Sequence, residues 1–262
     1  NIKLINKNID NIDSKGNSIV LKKKYIFYDL IILSTGSSSN LYSEIEEGRS
    51  IKKNYEEFAI TSIIKHKAQI KNACQFFLKE GPLAILPLKK ELFSVVWSVN
   101  KKFFTTHKKN LKKILTTKLK TLLKLKKIEI VNNIKFFPIN LNLKTKYFKK
   151  NILILGDGLH SIHPIAGQGF NLVLRDIKKL TELMSETTKL GLLFKDSFLL
   201  ENFYNSRKSE NNLFGIGINL TNFFFKDHKY FSNLKKVILN NLDNFGFIKK
   251  ISQSVADRGI LF

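Results

Sequence analysis

The residues best suited to chemistry lie between positions 151 and 176. Residues 152–155 form a short apolar run that predicts a buried strand, and the letters GDG at 156–158 follow it as a tight turn with one carboxylate. An acid directly after a strand lies where open α/β sheets bind their ligands. There the carboxylate can accept hydrogen bonds from ribose or ribityl hydroxyl groups, so Asp157 is the first candidate binding residue.

Proline and glycine dominate the loop that follows this turn. The letters HP at 163–164 and GQG at 167–169 precede a segment whose apolar residues recur at helical spacing from Phe170 onward. Glycines on both sides of Gln168 let the backbone approach a flat ring closely, because no Cβ intervenes. The N-terminus of the predicted helix favours negative charge, which a reduced flavin carries. A plain strand–loop–helix crossover with Asp157 as a turn residue explains GD or GQG alone, but accounts poorly for the whole pattern.

The pattern G-D-x-x-H-x-x-H-P-x-x-G-Q-G-x-N at 156–171 resembles the second flavin-binding motif of the aromatic-ring hydroxylases of the p-hydroxybenzoate hydroxylase type. It is most similar to their ubiquinone-biosynthesis branch. The resemblance implies FAD, with the Asp157 carboxylate on the ribityl chain and the proline and glycine loop against the isoalloxazine. The residues that it places at the cofactor are Gly156, Asp157, Pro164, Gly167, Gln168, Gly169 and Asn171. The segment departs from the family pattern in two places. Gly158-Leu159 replaces the usual Ala-Ala after GD, and Val173 replaces the usual small residue after Asn171-Leu172.

A second segment, residues 28–36, predicts another buried strand that ends in a serine-rich loop. It resembles the family segment A-D-G-x-x-S-x-x-R, which is linked to binding of both flavin and the nicotinamide cofactor. Gly36 and Ser39 match this pattern, whereas Thr35 replaces the aspartate and Tyr42 replaces the arginine. The family implies NAD(P)H as electron donor, and these two replacements place the nicotinamide contact in doubt. A strand with an ordinary serine-rich loop is the alternative reading.

Three apolar runs, at residues 73–78, 83–88 and 93–99, predict successive antiparallel strands with turns between them. The letters EGPLAILPL and FSVVW in this region are also similar to the ubiquinone-type hydroxylases, in the sheet that covers the substrate. An ordinary β-meander is the alternative. Further strands are predicted at 1–5, 18–21 and 129–137, and helices at 108–127, 197–214, 216–225 and 230–251.

These elements predict an α/β fold in which part of a Rossmann-like FAD-binding domain carries an inserted antiparallel-sheet substrate domain and is followed by C-terminal helices. The predicted divisions are 1–59 for the first part of the FAD-binding domain, 60–139 for the substrate domain, 140–190 for the return to the FAD-binding domain, and 191–262 for the helical region.

Lysine dominates the charge of the chain. Its 45 lysines and arginines stand against 21 acids, which gives a formal net charge of +24. Such charge suits nucleic acid or an anionic membrane surface, or it is a compositional bias on solvated faces. Only four of the basic residues are arginines, and the lysines spread along the whole chain, so no nucleic-acid partner is predicted. A weak attraction to anionic lipid is expected. The phenylalanine-rich stretch 213–225 is predicted to be core, with the lining of an apolar substrate entrance or a bilayer contact as alternatives.

No run of about 18 apolar residues occurs, so no transmembrane helix is predicted. The expected location is cytoplasmic, with peripheral attachment to the inner face of the cytoplasmic membrane as an option. The single Cys74 excludes an internal disulfide and is predicted to be a small buried hydrophobic residue.

No G-x-G-x-x-G sequence follows a predicted strand, although the resemblance implies such a unit for the ADP half of FAD. The chain begins with Asn1 rather than methionine. It is therefore expected to be the C-terminal portion of a longer protein, and residues 1–262 alone are not expected to hold FAD tightly.

The histidines do not predict a metal site. His160 and His163 are three positions apart, but no third ligand lies near them in the sequence. His163 is predicted to be a loop residue, and His66, His107 and His228 are predicted to lie on the surface. No general acid or base is assigned, and His160 is the one titratable neighbour of the motif to test for a catalytic role.

The resemblance implies a flavin-dependent monooxygenase that hydroxylates the aromatic ring of a polyprenylated phenol in ubiquinone biosynthesis. Its expected partners are this phenol, dioxygen and other ubiquinone-biosynthesis proteins. One alternative is another flavoprotein of the same fold, such as a reductase or a halogenase. The other is a non-catalytic basic module that binds a membrane surface or nucleic acid.

Overall fold

The computed structural model describes residues 2–13, 18–37, 39–42, 45, 50–68, 70–162 and 168–225. This part of the chain forms thirteen strands and four α-helices. The strands are β1 (Asn11–Asp13), β2 (Ser18–Leu21), β3 (Lys24–Phe27), β4 (Ile31–Leu33), β5 (Ser50–His66), β6 (Cys74–Leu78), β7 (Gly81–Lys89), β8 (Leu92–Asn100), β9 (Ile128–Ile130), β10 (Lys135–Lys144), β11 (Phe148–Lys149), β12 (Ile152–Ile154) and β13 (His160–Ser161). The helices are α1 (Lys101–His107), α2 (Leu111–Leu123), α3 (Gln168–Lys189) and α4 (Ser197–Phe225).

A parallel pair, β4 and β12, lies at the centre of the part that carries the glycine motif. The Leu155 N–H donates to the Leu33 carbonyl at 2.9 Å, which extends the parallel ladder beyond the last residue of β12. β11 adds to β12 in the antiparallel direction. The three residues of β12 are fully buried because α3 and α4 supply apolar side chains to the same core. The predicted strands at 28–33 and 152–155 are thus confirmed, although the first covers only Ile31–Leu33 and the second ends at Ile154.

Six strands between β4 and β12, together with β13 after β12, form a seven-stranded antiparallel sheet in the order β13-β10-β5-β8-β7-β6, with β9 also paired to β5. The predicted meander is confirmed, since β6 pairs with β7 and β7 with β8, both antiparallel. Helices α1 and α2 cover one face of this sheet. The core between them contains Trp97, Phe93 and Leu115, all fully buried.

Strands β5 and β10 form a long ribbon that joins the two parts of the molecule. Their pairing shifts register between Ile139 and Asn140, opposite a bulge in β5 at Glu56, which has a φ of +54°. The predicted domain boundaries at 59/60 and 139/140 therefore lie within β5 and β10, respectively. The strand predicted at 129–137 is observed as β9 and the first residues of β10.

Helices α3 and α4 pack against each other and against the parallel pair, through buried residues that include Leu183 and Phe203. The break predicted near residue 215 is wrong, because α4 continues from Ser197 to Phe225. The helix predicted at 230–251 lies outside the described residues. None of the described helices has an apolar stretch of the length and hydropathy needed to cross a membrane.

Three further predictions are corrected by the structure. Residues 2–5 form no strand, and Ile2 and Leu4 are 95% and 94% exposed, because their alternating pattern finds no partner strand in the described chain. Cys74 is exposed rather than buried, since it begins the edge strand β6. His66 is buried rather than on the surface. It continues the alternation of Ile64 in β5 and contacts the Phe93 ring at 5.1 Å between centroids.

Candidate functional site

The carboxyl ends of β4 and β12 meet at one edge of their sheet because the two strands are parallel and adjacent. Each is followed by a glycine turn, at Gly36 with a φ of +82° and at Gly156 with a φ of +78°. A Cβ placed at either glycine would meet no atom within 4 Å, so both turns border open space. Asp157 is exposed in the 3₁₀ turn Gly156–Gly158. This edge therefore offers an accessible carboxylate beside two open backbone turns.

Tyr42 packs on the buried side of the Gly36 and Gly156 turns and contacts both of them. Its hydroxyl donates to the Gly36 carbonyl at 2.7 Å and accepts a hydrogen bond from Thr35 Oγ1 at 3.1 Å. The hydroxyl end of the ring also lies against Gly158, where an added Cβ would come within 2.1 Å of the Tyr42 hydroxyl oxygen. Thr35, Tyr42 and Gly158 all depart from the family pattern, and the structure brings them into one contact. Tyr42 is only 2% exposed, so its side chain faces the protein rather than a ligand.

The remaining predicted cofactor residues lie on the segment that leads into α3. Gln168 begins this helix, and Gly169 and Asn171 lie in its first turn. A Cβ at Gly169 would lie 3.6 Å from Ile162 Cγ1, an ordinary contact. Pro164 and Gly167 lie outside the described residues. Val173 is half-buried in α3.

A cleft of about 480 Å³ opens between the loop after β4 and the β5–β10 ribbon. It begins at Ser37 and Ser161, which lie on the segments that follow β4 and β12. Its other lining residues are Lys52, Lys53, Asn54, Phe137, Pro138, Asn140, Leu141 and Asn142. The cleft therefore leads from the carboxyl edge of the parallel pair towards the antiparallel sheet.

The face of the antiparallel sheet opposite α1 and α2 combines small residues with exposed apolar ones. Phe137 pairs with Ala59, and Ala59 pairs with Ser98 on the next strand. Because directly paired residues share a face, this row continues from the cleft across the sheet. Phe137 and Leu86 are about half-exposed on this face. The face therefore presents exposed apolar side chains to a ligand.

A second, larger cleft lies away from this edge. It has a volume of about 1120 Å³ and lies between residues 145–150 and one side of α4, at the amino end of β12. Its lining includes four lysines and Tyr204. Because Asp157 follows the carboxyl end of β12, this cleft does not adjoin the candidate site.

A buried polar cluster lies directly behind the candidate site. His160 Nε2 is 2.5 Å from Asp176 Oδ2, and both side chains are at most 2% exposed. Arg207 Nε donates to the other oxygen, Asp176 Oδ1, at 2.6 Å. The Arg207 guanidinium also donates to Glu210 and, at 3.1 Å, to Asn211 Oδ1. This cluster joins β13, α3 and α4 through charged hydrogen bonds.

Two further side chains complete the cluster. Arg175 pairs with Glu210 at 3.6 Å, and its guanidinium lies 4.6 Å from the centre of the Phe214 ring. Tyr147 accepts a weak hydrogen bond from Asn211 at 3.4 Å. Burial, together with the nearby Asp176, raises the pKa of the Tyr147 phenol, so it acts as a neutral hydroxyl.

Sequence reasoning identified His160 but missed its partners Asp176, Arg207 and Glu210. The signal that could have found them is the choice of arginine in a chain that otherwise uses lysine. Two of its four arginines, Arg175 and Arg207, lie in this cluster. Arginine is favoured at buried ion pairs because its planar fork donates several directed hydrogen bonds.

The residues at this edge fit FAD as the cofactor. The exposed Asp157 carboxylate can accept hydrogen bonds from ribityl hydroxyls, and the open turns at Gly36 and Gly156 leave room for the chain of a bound nucleotide. The start of α3 lies beyond the same loop and can face a negatively charged ring. Within the described residues, no group of three or more histidine, cysteine or acidic side chains could hold a metal ion.

The parallel pair with glycine turns and the antiparallel sheet inserted between its strands define the fold of FAD-dependent enzymes. The structure of the myxobacterial chondrochloren halogenase CndH, an FAD-dependent halogenase, superimposes with a TM-score of 0.66 at 15% identity, covering 97% of this chain and 62% of that one. At this identity the likeness establishes the fold, and the predicted α/β fold class is confirmed. Residues 92–255 match the family described as squalene epoxidase, and the chain belongs to this family.

Two curated relatives confirm the resemblance seen in the sequence. A ubiquinone biosynthesis monooxygenase of Dictyostelium discoideum, COQ6, is 30% identical over 101 residues, which cover 38% of this chain and 20% of the relative. The 3-demethoxyubiquinol 3-hydroxylase of Escherichia coli is 22% identical over 189 residues, which cover 71% of this chain and 45% of the relative. The chain therefore spans less than half the length of either relative.

Proposed function

We propose that this chain is part of an FAD-dependent monooxygenase that hydroxylates the aromatic ring of a polyprenylated phenol in ubiquinone biosynthesis. The observation that carries the proposal is the exposed carboxylate of Asp157 at the carboxyl edge of the parallel pair, next to a cleft that leads onto an open apolar sheet face. Membership of a squalene epoxidase family and similarity to ubiquinone hydroxylases support the same activity.

Bound FAD would supply the redox chemistry with dioxygen, and the residues of the chain would position it. Asp157 would hold the ribityl chain through charge-assisted hydrogen bonds, and Gly156 would allow the backbone turn that presents it. Gly169 and Asn171 would lie at the pyrimidine side of the ring, where the N-terminus of α3 favours negative charge. The proposal assigns no proton transfer to a side chain of the described chain.

The substrate ring would lie in the cleft beneath Phe137, with its polyprenyl tail along the open face of the antiparallel sheet. Ala59 is small and half-buried there, and Leu86 extends the apolar surface. Apolar contact on this face would also keep water away from the reacting ring. This arrangement supports the division of the chain into a cofactor part and a substrate part.

NAD(P)H is the proposed electron donor. Tyr42 stands where the family has an arginine, but it is buried and bonded to the Gly36 carbonyl, so it would not contact the nucleotide. The contact would therefore come from other residues.

A halogenase or a reductase shares the fold but would use the site differently. Analysis of the reaction products distinguishes a monooxygenase from a halogenase or a reductase. In the complete protein with bound FAD, a short-chain prenyl phenol, NAD(P)H and ¹⁸O₂ should give a product that carries one labelled oxygen. Consumption of the nicotinamide with no labelled product, or halide-dependent modification of the phenol, would contradict the proposal.

Replacement of Asp157 by alanine should weaken FAD binding to the complete protein by roughly 10- to 150-fold. The change removes charge-assisted hydrogen bonds worth about 1.5–3 kcal/mol. The dissociation constant can be measured by quenching of flavin fluorescence during titration of the apoprotein. Asp196→Ala is a matched control, because this carboxylate accepts from the Leu193 N–H in a loop before α4, far along the chain from the motif. Unchanged FAD affinity in Asp157→Ala would return Asp157 to the role of a turn residue.

Attachment to an anionic membrane surface is a further part of the proposal, because a polyprenyl phenol resides in the bilayer. The C-terminal part of α4 includes Phe223 and Phe224, and lysines follow it in the sequence. Phe214, at the start of this apolar stretch, is buried and so belongs to the core. Apolar burial at about 25 cal/mol per Å² and about 1 kcal/mol per lysine near an anionic surface would suffice for reversible attachment.

The complete protein should therefore float with anionic liposomes at low salt and lose this binding when Phe223 and Phe224 are both changed to serine. A variant Phe198→Ser, at the other end of α4 and 38% exposed, should bind as the wild type does. If flotation is absent at low salt, or the double variant folds and still floats, this segment is not the membrane contact.

A further inference from the structure

The buried cluster joins the two elements that carry the proposed flavin contacts. His160 follows the Asp157 turn by three positions and lies in β13, whereas Asp176 lies in α3, whose first turn carries Gly169 and Asn171. The 2.5 Å contact between His160 Nε2 and Asp176 Oδ2 is a hydrogen-bonded link between these elements, and α3 also packs directly against the turn. The geometry of this contact therefore bears on how the Asp157 turn lies relative to the start of α3.

The position of Asp176 is itself determined from two sides. One carboxylate oxygen meets His160, and the other accepts from Arg207 Nε at 2.6 Å and from Asn211 Nδ2 at 3.3 Å. Arg207 is held in turn by Glu210 on the same helix, so α4 acts as a fixed support. A carboxylate with both oxygens engaged by different elements has little freedom to move, and its burial strengthens each contact.

We propose that His160, Asp176 and Arg207 are positioning residues for the flavin, because they set the distance and angle between the Asp157 turn and the N-terminus of α3. The inference rests on the proposed function, since it takes these two elements as the flavin contacts. It gives His160 a role that differs from acid–base catalysis: its imidazole is buried behind the site and acts through Asp176. A change in that distance or angle would alter both the affinity for FAD and the midpoint potential of the bound flavin.

The potential is affected because a helix N-terminus stabilises the negative charge of the reduced ring, and this effect falls off within the first turn. A shift of α3 away from the ring would weaken the stabilisation and lower the midpoint potential of the bound flavin. A loss of general stability would not change the potential of the molecules that remain folded. The potential therefore separates positioning from support of the fold.

The test compares three variants of the complete protein with the wild type. His160→Leu removes the donor to Asp176, and His160→Gln keeps an N–H at a position close to that of Nε2. Leu115→Ala makes a cavity under the antiparallel sheet, away from the cluster, and serves as a control with lowered stability. For each, the FAD dissociation constant, the visible spectrum and the midpoint potential are measured at a temperature where the protein remains folded.

His160→Leu should raise the FAD dissociation constant about tenfold or more, shift the visible bands and lower the potential. His160→Gln should restore the affinity to within about threefold of the wild type, and Leu115→Ala should leave the affinity and the potential unchanged. Wild-type values in His160→Leu would overturn the inference, as would an equal effect in Leu115→Ala. A wild-type protein that binds no flavin would instead overturn the proposed function, so the two failures are distinguishable.

Discussion

Arg207→Met should lower the free energy of unfolding by about 3–5 kcal/mol, a large effect for a single substitution. The Arg207 side chain is 5% exposed and donates to both Asp176 and Glu210. Its removal leaves two carboxylates in the core without their main cation, and methionine fills a similar volume without replacing the charge. Urea denaturation of the purified chain, followed by circular dichroism, measures the change.

Lys179→Met is a suitable control because it also replaces a basic residue that pairs with an acid. Lys179 lies 3.8 Å from Glu182 on the surface of α3, with side chains 34% and 47% exposed. A surface pair of this kind contributes about 0–1 kcal/mol, so the control should lose little stability. A loss below about 1 kcal/mol in Arg207→Met would show that the two acids do not depend on this guanidinium.

Replacement of Glu210 by methionine in the Arg207→Met background should recover part of the loss. Removing one partner of a buried ion pair leaves an uncompensated charge, whereas removing both leaves an apolar contact that is often neutral in stability. The recovery should be partial, because Asp176 still lacks its arginine and Arg175 loses its partner Glu210. A double variant less stable than Arg207→Met would contradict this account of the cluster.

Local patterns in the sequence predicted much of the fold. The strands around Leu83 and Val95 follow from short apolar runs separated by turn residues, and the parallel strand before Gly156 follows from an apolar run that ends in a glycine turn. These signals are local because strand alternation and turn geometry depend on residues next to each other in the chain. The order of strands in the antiparallel sheet depends on pairing between distant segments, and local patterns do not specify it.

The buried cluster behind the candidate site was not predictable in the same way. The cluster combines residues of β13, α3 and α4 with Tyr147 from the loop before β11, and its charged members alone have the appearance of surface residues. Only the tertiary packing of α3 on α4 brings them together. The use of arginine rather than lysine at positions 175 and 207 indicates buried ion pairs, but it does not identify the acids that they contact.

His66 shows a signal that was available but not used. It follows Ile60 and Ile64 at even spacing in β5, and such alternation places all three on the buried face. Tyr42 and Gly158, which both depart from the family pattern, show a feature that the sequence could not predict. Each was visible in the sequence, but their contact was not, because the two residues lie on different segments.

That contact makes Gly158→Ala the second large expected effect. The added methyl group would lie 2.1 Å from the hydroxyl oxygen of Tyr42 and 2.4 Å from its Cζ atom. Tyr42 is buried and its hydroxyl is bonded to the Gly36 carbonyl, so the ring has no free direction in which to move. Overpacking of this kind costs about 1–3 kcal/mol, and we expect a value in the upper half of this range. Thermal or urea denaturation of the chain measures it.

A control glycine is available in the same part of the chain. A Cβ at Gly169 would make only an ordinary contact of 3.6 Å with Ile162, and Gly169 lies in α3. Gly169→Ala should therefore leave the chain as stable as the wild type, or raise its stability by about 0.5–1 kcal/mol, because alanine favours a helix over glycine. The pair of variants separates a specific clash from a general sensitivity to added methyl groups.

Substitutions at Tyr42 then identify the clashing partner. Tyr42→Phe removes the hydroxyl but leaves the Cζ atom in place, so Gly158→Ala should remain costly in this background. Tyr42→Leu removes the end of the ring, and the same alanine substitution should then cost less than about 0.5 kcal/mol. Since alanine is the family's usual residue after GD, this coupling would mean that the tyrosine and the glycine changed together in this chain. An equal cost of Gly158→Ala in the wild-type and Tyr42→Leu backgrounds would contradict that dependence.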